Sequence, residues 1–333
     1  MDTKNILHNL QNNALVKQDP LSTTLAKLQD LHHQASDYIK QSKASNTWKA
    51  YKSDWHHFQV WCQDHKQISL PASPETITYY ITSLATTYKT STIQRRLATI
   101  AQHHQGNGFD DPTKHILVKE TWKGLRRAKG TSQTQKSPVL IDQLKQILFQ
   151  LPKTTKGIRD KALLLIGLCC GFRRSELVSL NVDDLKFVRE GLVITLRKSK
   201  TDQEQQGRDI ALPYTNNKYL CPIHSLKDWL KASSIKEGAI FRSVNRHGQI
   251  MDSRLSDKAV SLIVKHYVGT LGLDSKLFAG HSLRAGLVTS LALAGLSESA
   301  ISRQSGHKSS QMIKRYIRHA NLFQDHPVTK LGL

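Results

Sequence analysis

Acidic residues are scarce in this chain. Its 333 residues hold 26 aspartates and glutamates against 48 lysines and arginines, a formal charge of +22. Such an excess asks for a polyanionic partner, with nucleic acid first and a membrane surface as the competing reading; otherwise it serves solubility alone. Long apolar runs are also missing. The longest, ALLLIGLCCGF from Ala162 to Phe172, falls short of the roughly 20 residues that cross a bilayer and suits a buried helix. The opening MDTKNILHNLQNN is polar, with no signal-peptide core. No membrane partner is expected, and the expected location is cytoplasmic, at the nucleoid.

Cysteine is limited to Cys62, Cys169, Cys170 and Cys221, with no CxxC. Adjacent Cys169 and Cys170 cannot easily pair, and His56, His57, His103, His104 and His224 lack metal-ligand spacing. Reduced thiols and no metal site are therefore expected. A phosphate loop of the form GxxxxGK(S/T) is missing too, which argues against ATP chemistry, and no cofactor is expected. What the chain does have is an ordinary globular balance, 38% hydrophobic and 22% charged. That excludes global disorder, and the length leaves room for two domains.

Residues 1–20 are polar and read as a flexible lead. From Leu21 the pattern is helical, giving a helical domain over 21–128. Trp48, Tyr51, Trp55, Phe58 and Cys62 recur on one helical face, with Ser45 or Asn46 as cap candidates. A second helix carries Ile77, Ile81, Leu84 and Tyr88, and a third Ile93, Leu97, Ile100 and His104. Arg95 and Arg96 are expected on the far side of that third helix, and a fourth helix over about Thr113 to Arg127. Basic residues beside a buried face suit a bundle that lays helices on DNA; Arg95, Arg96, Lys49 and Lys52 are the contact candidates, against the alternative of a solvated basic face. The polar stretch 129–137 reads as a linker. Beyond it, 138–320 forms a second domain: helices, a β-hairpin made by GLVITLRKSK and RDIALPY, then helices again from about Cys221. The fold class is mainly α, with a small β-hairpin or sheet in the second domain.

Chemistry gathers in an ordered set of segments. GFRRSEL holds Arg173, Arg174 and Glu176. RKSKTD holds Lys198 and Lys200 at the hairpin loop. AGHSLRAG holds His281 and Arg284, three apart and so on one helical face. SGHKSSQMIKRYIRHA holds His307 and, nine residues on, Tyr316. Alone, Tyr316 reads as core beside Met312 and Ile313, and each of the others as surface charge or a satisfied polar group.

In this order, the segments resemble the catalytic domain of the tyrosine recombinases, the phage integrase family. The helical domain resembles that family's DNA-clamping domain more loosely. The resemblance implies a two-domain C-shaped clamp on duplex DNA. It gives the catalytic roles to Arg173, Lys200, His281, Arg284, His307 and Tyr316. Lys198, which shares a strand face with Lys200, stays open as the alternative lysine. Glu176 supports Arg173 or caps backbone, and Arg174 and Lys198 join the DNA-contact candidates.

The residue types suit phosphodiester chemistry. Guanidinium groups fork onto nonbridging oxygens and stay charged. A lysine is a suitable acid for the leaving 5′ oxygen. Tyrosine has a pKa of about 10, so only about one in a thousand is phenolate at pH 7 and nearby positive charge favours attack. The resemblance further implies a 3′-phosphotyrosine intermediate, a homotetramer holding two sites, and exchange through a Holliday junction without ATP or metal. It points to a simple recombinase of the Cre or Xer type. The tail 321–333 is expected to dock on a neighbouring protomer. Two alternatives stand: a type IB topoisomerase-like relaxer, and a DNA-binding protein of the same fold without catalysis. Should Tyr316 not be the nucleophile, Tyr267 is next.

Overall fold

The computed structural model describes residues 20–131, 135–197, 207–307, 310–320 and 328. The chain divides into two compact units, 1–133 and 134–333. The expected lead, the middle of the linker and most of the tail lie outside the described residues, as do Lys198 and Lys200.

The first unit is all helix: α1 Pro20–Gln41, α2 Ser45–Asp64, α3 Pro74–Leu84, α4 Thr90–Gly106 and α5 Ile116–Lys129. Its core is Phe58, Tyr80, Ile77, Ile81, Ile93, Ile100 and Val118, each almost fully buried. The helix starts are encoded locally. Ser73 accepts a bond from the Thr76 amide at 3.2 Å with Pro74 at the first helical position, the usual N-terminal pairing. His115 caps α5 in the same way, accepting from Leu117 N. Two local expectations need correcting. Ala44, not Ser45 or Asn46, precedes α2 without a side-chain cap. Pro112–Lys114 forms a separate 3-10 turn ahead of α5.

Arg96 is the larger correction. It is 6% exposed and belongs to the buried face of α4. Its guanidinium lies over the Tyr88 ring, 4.0 Å from the centroid, with Nε 3.5 Å from Asp54 Oδ1. Arg95 does face outward, yet it forks onto the buried Asp54 carboxylate, Nε to Oδ2 at 2.6 Å and Nη2 to Oδ1 at 3.0 Å. Burying a carboxylate is costly unless it is paired, and the two arginines supply that pairing.

The second unit runs α6 Ile141–Gln150, α7 Thr155–Cys169, α8 Arg174–Ser179, β1 Leu185–Phe187, β2 Gly191–Leu196, β3 Arg208–Pro213, α9 Pro222–Ser233, β4 Arg242–Val244, β5 Ile250–Arg254, α10 Asp257–Thr270, α11 His281–Leu293, α12 Glu298–Ser305 and α13 Ser310–Ala320. The apolar run becomes α7, buried from Ala162 to Leu168 and packed on α9 and α11. Each large aliphatic side chain there contributes about 1.5–3 kcal/mol on burial. Trp229 anchors α9 from within, its Nε1 donating to Ile240 O at 2.9 Å.

The expected hairpin is there, as β2 and β3 paired antiparallel from Gly191↔Pro213 to Leu196↔Arg208. β1 adds an antiparallel third strand beside β2, in the order β1-β2-β3. The uninterrupted helices expected after Cys221 are corrected by a second hairpin, β4 with β5. Its turn is built by Asn245, whose Oδ1 accepts from His247 N and Gln249 N at 2.9 and 3.0 Å, and by Gly248 at φ +81°. Such an Asn–Gly turn needs no long alternating strands to form. Among the described residues no helix is long and apolar enough to cross a membrane.

Candidate active site

The site begins where α7 stops. Gly171 turns the chain with φ +61°, and a Cβ there would meet Leu287 Cδ2 at 2.8 Å. Only glycine suits both the conformation and the gap. The turn delivers Arg173 to the N-cap of α8, where its amide donates to Glu176 Oε2 at 2.8 Å and its Nη1 donates to Oε1 at 2.5 Å. Glu176 is 3% exposed. Burial pushes its pKa up, but the backbone and guanidinium donors of Arg173 outweigh this and hold the carboxyl below its ordinary range. Glu176 therefore orients Arg173 as an anion.

Arg284, in the first turn of α11, is 5% exposed. Its Nη1 donates to Gly171 O at 2.6 Å and Ser305 O at 2.5 Å, and its Nε donates to His307 Nε2 at 3.3 Å. Its Nη2 is buried and meets no hydrogen-bond acceptor among the described residues. A buried guanidinium N–H left unmet costs free energy, and an incoming oxyanion would satisfy it. Burial first, and then the Arg173 charge, bring Arg284 down to about 10, so it remains a cation at neutral pH.

His307 follows Gly306, the left-handed cap of α12 at φ +66°. Ser305 Oγ donates to Ile301 O at 2.6 Å, so it accepts from His307 Nδ1 at 2.7 Å. That assigns the ring proton to Nδ1 and leaves Nε2 as the acceptor for Arg284. Burial, then Arg284, Arg173 and Arg208, push the imidazole down to about 4. The ring is neutral at pH 7.

Tyr316 is half-buried on α13 against the cluster of Val288, Ala292, Ile301 and Ile313. It lies close enough to Arg284 for its charge to raise that arginine's pKa. His281 opens α11 and is exposed. Beside it, the Arg174 stem crosses Gly280, whose Cβ would meet Arg174 Cδ at 2.1 Å, and the Arg174 head pairs with Asp257 at 3.7 Å. Thus Arg173, Glu176, Arg284, His307 and Tyr316 come together, while Lys198 and Lys200 fall in the loop outside the described residues. Tyr267 is structural: it is 6% exposed, donates to Asp160 Oδ2 at 3.0 Å, and burial raises its pKa.

Lys49 and Lys52 are exposed on α2. Two features escaped the sequence reading. Lys123, Arg126, Arg127 and Thr131 line a polar cleft at the end of α5, announced only by KGLRRAK. Arg208, at the start of β3, reaches the His307 turn, and in so basic a chain nothing marked it out.

The class is thus a chain of two helical units, the second carrying two small sheets and a cluster of Arg173, Arg284 and His307 with Tyr316 beside Arg284. Residues 139–322 match the Phage integrase family, and the chain belongs to that family. It is a tyrosine recombinase. An integrase/recombinase xerD homolog of Selenomonas ruminantium is 44% identical across 88% of this chain and 87% of its own. Recombinase cre of Escherichia phage P1 is 23% identical across 84% and 86%. In fold, the chain is similar to a lambda integrase dimer bound to a COC′ core site, with TM-score 0.56 and 17% identity, covering 95% of this chain and 85% of that one.

Proposed function

We propose that the chain cleaves and rejoins double-stranded DNA at a specific site through a 3′-phosphotyrosine bond. The observation that carries this reading is the unmet, buried Nη2 of Arg284 beside Arg173, His307 and Tyr316. Arg284 and Arg173 bind the nonbridging oxygens, and their fixed charge counts most as negative charge grows in the transition state. Tyr316 Oη attacks phosphorus, with His281 assisting departure of the phenolic proton. The bond from phosphorus to the 5′ oxygen breaks, and Lys200 (or Lys198) supplies the proton that leaves a 5′ hydroxyl. Reversal by another strand's 5′ hydroxyl rejoins the DNA. The phosphoryl bond energy is kept in the covalent link, so the reaction needs no ATP. Guanidinium and ammonium groups carry the charge work that a metal would otherwise do.

Lys49, Lys52, Arg95, Arg174 and the α5 cluster are assigned to backbone contacts outside the scissile phosphate. Arg96, being buried, acts from beneath by holding Asp54. A homotetramer exchanging strands through a Holliday junction completes the reading. Tail 321–333 then docks on a neighbouring protomer; Val328, 48% exposed in the single chain, has apolar area to cover, and an apolar cleft lined by Leu212, Leu287, Leu291 and Leu296 is of matching chemistry.

The test is to trap the full-length protein on nicked genomic and random-sequence duplexes and to sequence the bound ends. A 3′-linked adduct is expected that vanishes in Tyr316→Phe, while DNA affinity changes by less than about threefold, since only one oxygen is lost. An adduct persisting in the Phe variant moves the nucleophile elsewhere. Supercoil relaxation by a monomer without recombinants would favour a type IB topoisomerase-like activity.

A further inference from the structure

Arg208 is the first paired residue after the loop that contains Lys200, and its partner across the ladder is Leu196. Its guanidinium reaches the turn that carries His307. Nη1 is 3.4 Å from the carbonyl oxygens of both Arg303 and Gln304, in the last turn of α12. A Cβ on Gly306 would sit 2.3 Å from Nη1 and 2.5 Å from Cζ. Gly306 is thus required twice: by its positive φ, and because the guanidinium occupies the place of a side chain. A cation at a helix C-terminus is favoured, but contacts at 3.4 Å are long for charge-assisted bonds. Burial also works against the Arg208 charge, and Glu176, the acid that supports it, is already engaged by Arg173. An arginine held at that cost beside Arg173 and Arg284 has a task other than stability.

We propose that Arg208 is a positioning residue for strand transfer, tying the strand that leaves the Lys200 loop to the His307 turn. The other foot of the loop is fixed separately, by Arg197 Nε donating to Asp184 Oδ1 at 2.5 Å. Among the described residues, it is the Arg208 foot that is tied to the His307 turn. Through it, the ends of the loop and the His307 ring keep one fixed relation. His307 is faced by Arg284, Arg173 and Arg208, with Glu176 opposing them. Together with burial they keep the ring neutral, so Nε2 retains the lone pair that receives Arg284 Nε. The inference rests on the recombination chemistry proposed above, and its test separates the two.

The test uses the full-length protein in two arms. In the first, without DNA, isotope-labelled histidines are titrated by NMR, the His307 signal being assigned by its loss in His307→Gln. Wild type is expected to titrate near 4. Arg208→Met removes a like charge and is expected to raise that value by about one pH unit, whereas Arg208→Lys stays close to wild type. In the second arm, single-turnover adduct formation is measured on the duplex whose cleavage point the trapping experiment maps. Arg208→Met slows it about 30-fold at saturating DNA, with half-site affinity within about twofold; Arg208→Lys recovers all but about fivefold. If a folded Arg208→Met leaves both the titration and the rate unchanged, the proposal falls. A slower rate with an unchanged His307 titration also overturns it, because Arg208 then acts on the phosphate and not through the turn. Should wild type form no adduct, the recombination reading fails, and an unmoved His307 titration would still sink the Arg208 contact. If Arg208→Met does not fold, Arg208→Gln replaces it, keeping a donor without the charge.

Discussion

Both units bury arginine, Arg96 in the first and Arg159 and Arg284 in the second, and Arg96 and Arg284 are treated differently. In the first, Arg96 is 6% exposed, lies on the Tyr88 ring and shares with Arg95 the charge of the Asp54 carboxylate, itself 3% exposed, although its Nε and Nη1 meet no hydrogen-bond acceptor among the described residues. In the second, Arg284 is 5% exposed, is held by the carbonyls of Gly171 and Ser305, and has the like charges of Arg173 and Arg208 around it. The acid that supports it, Glu176, is hydrogen-bonded to Arg173. A buried cation matched by its own acid is part of a core. A buried cation in surplus is matched only when a ligand brings negative charge. Burial first, and then the surplus, lower Arg284 to about 10 and His307 to about 4; an arriving phosphate would oppose the charge part of both shifts.

The largest effects should separate these two roles. Arg284→Met is expected to reduce adduct formation by about a thousandfold or more, since a fixed donor to the developing charge is lost. Its melting temperature should hold or rise, because burial and neighbouring charge already oppose the cation. Asp54→Ala does the converse. It leaves Arg96 buried without its acid, a change costing about 3–5 kcal/mol, while the adduct rate of the folded fraction stays within about threefold. Calorimetry and single-turnover cleavage on the same preparations read both. If Arg284→Met loses as much stability as Asp54→Ala, the distinction between core cation and surplus cation is wrong.

A smaller effect concerns pH. Burial and the neighbouring arginines push His307 down to about 4 in the folded chain, from the ordinary 6.5 that the unfolded chain restores. Between those values the unfolded chain binds a proton that the folded chain does not, so stability rises with pH across that window and is lost as pH falls toward 4. His57 in the first unit is also lowered, by burial first, and contributes in the same direction. The His307 share is the difference between wild type and His307→Gln in urea unfolding at pH 7 and pH 4.5, expected to be about 2 kcal/mol. Equal pH dependence in the two proteins would mean that the folded ring is not held neutral.

How far the sequence disclosed these features follows from what each depends on. That Arg173, Glu176, Arg284, His307 and Tyr316 gather in one place was legible because they sit in segments whose residue types and order survive as words in the sequence. Arg96 was misread because charge was allowed to override spacing: it is three residues from Ile93 and four from Ile100, both on the buried face. Nothing on its own helix offers the acid that permits this; Asp54 comes from α2. Arg208 was missed for the same reason, since its partners are the backbone carbonyls of Arg303 and Gln304 far along the chain. The β4–β5 hairpin was missed because its strands are short and mostly exposed, so alternation had little to register. Contacts between distant segments carry no local pattern, and charge balance is such a contact.

The smallest expected effect belongs to the exposed lysines of the first unit, which contrast with Arg96 and Arg284. Lys49 and Lys52 stand in solvent on α2, so neither carries a burial cost or a fixed geometry. If each meets one DNA phosphate, its share of binding is released counterion, and the logarithm of affinity against the logarithm of salt should flatten by about 0.9 for each lysine removed. Lys49→Ala and Lys52→Ala should therefore weaken binding at 50 mM salt and scarcely change it at 300 mM, equally for specific and unrelated duplexes. At saturating DNA the adduct rate should equal that of wild type, since neither side chain belongs to the residues gathered around Tyr316. Fluorescence anisotropy across a salt series, with single-turnover cleavage at its low-salt end, reads both quantities. An unchanged slope would return that lysine to the solvated face of α2. A slower rate at saturation would mean that α2 helps to place the scissile phosphate, and the division between surplus charge that reacts and exposed charge that only holds would have to be redrawn.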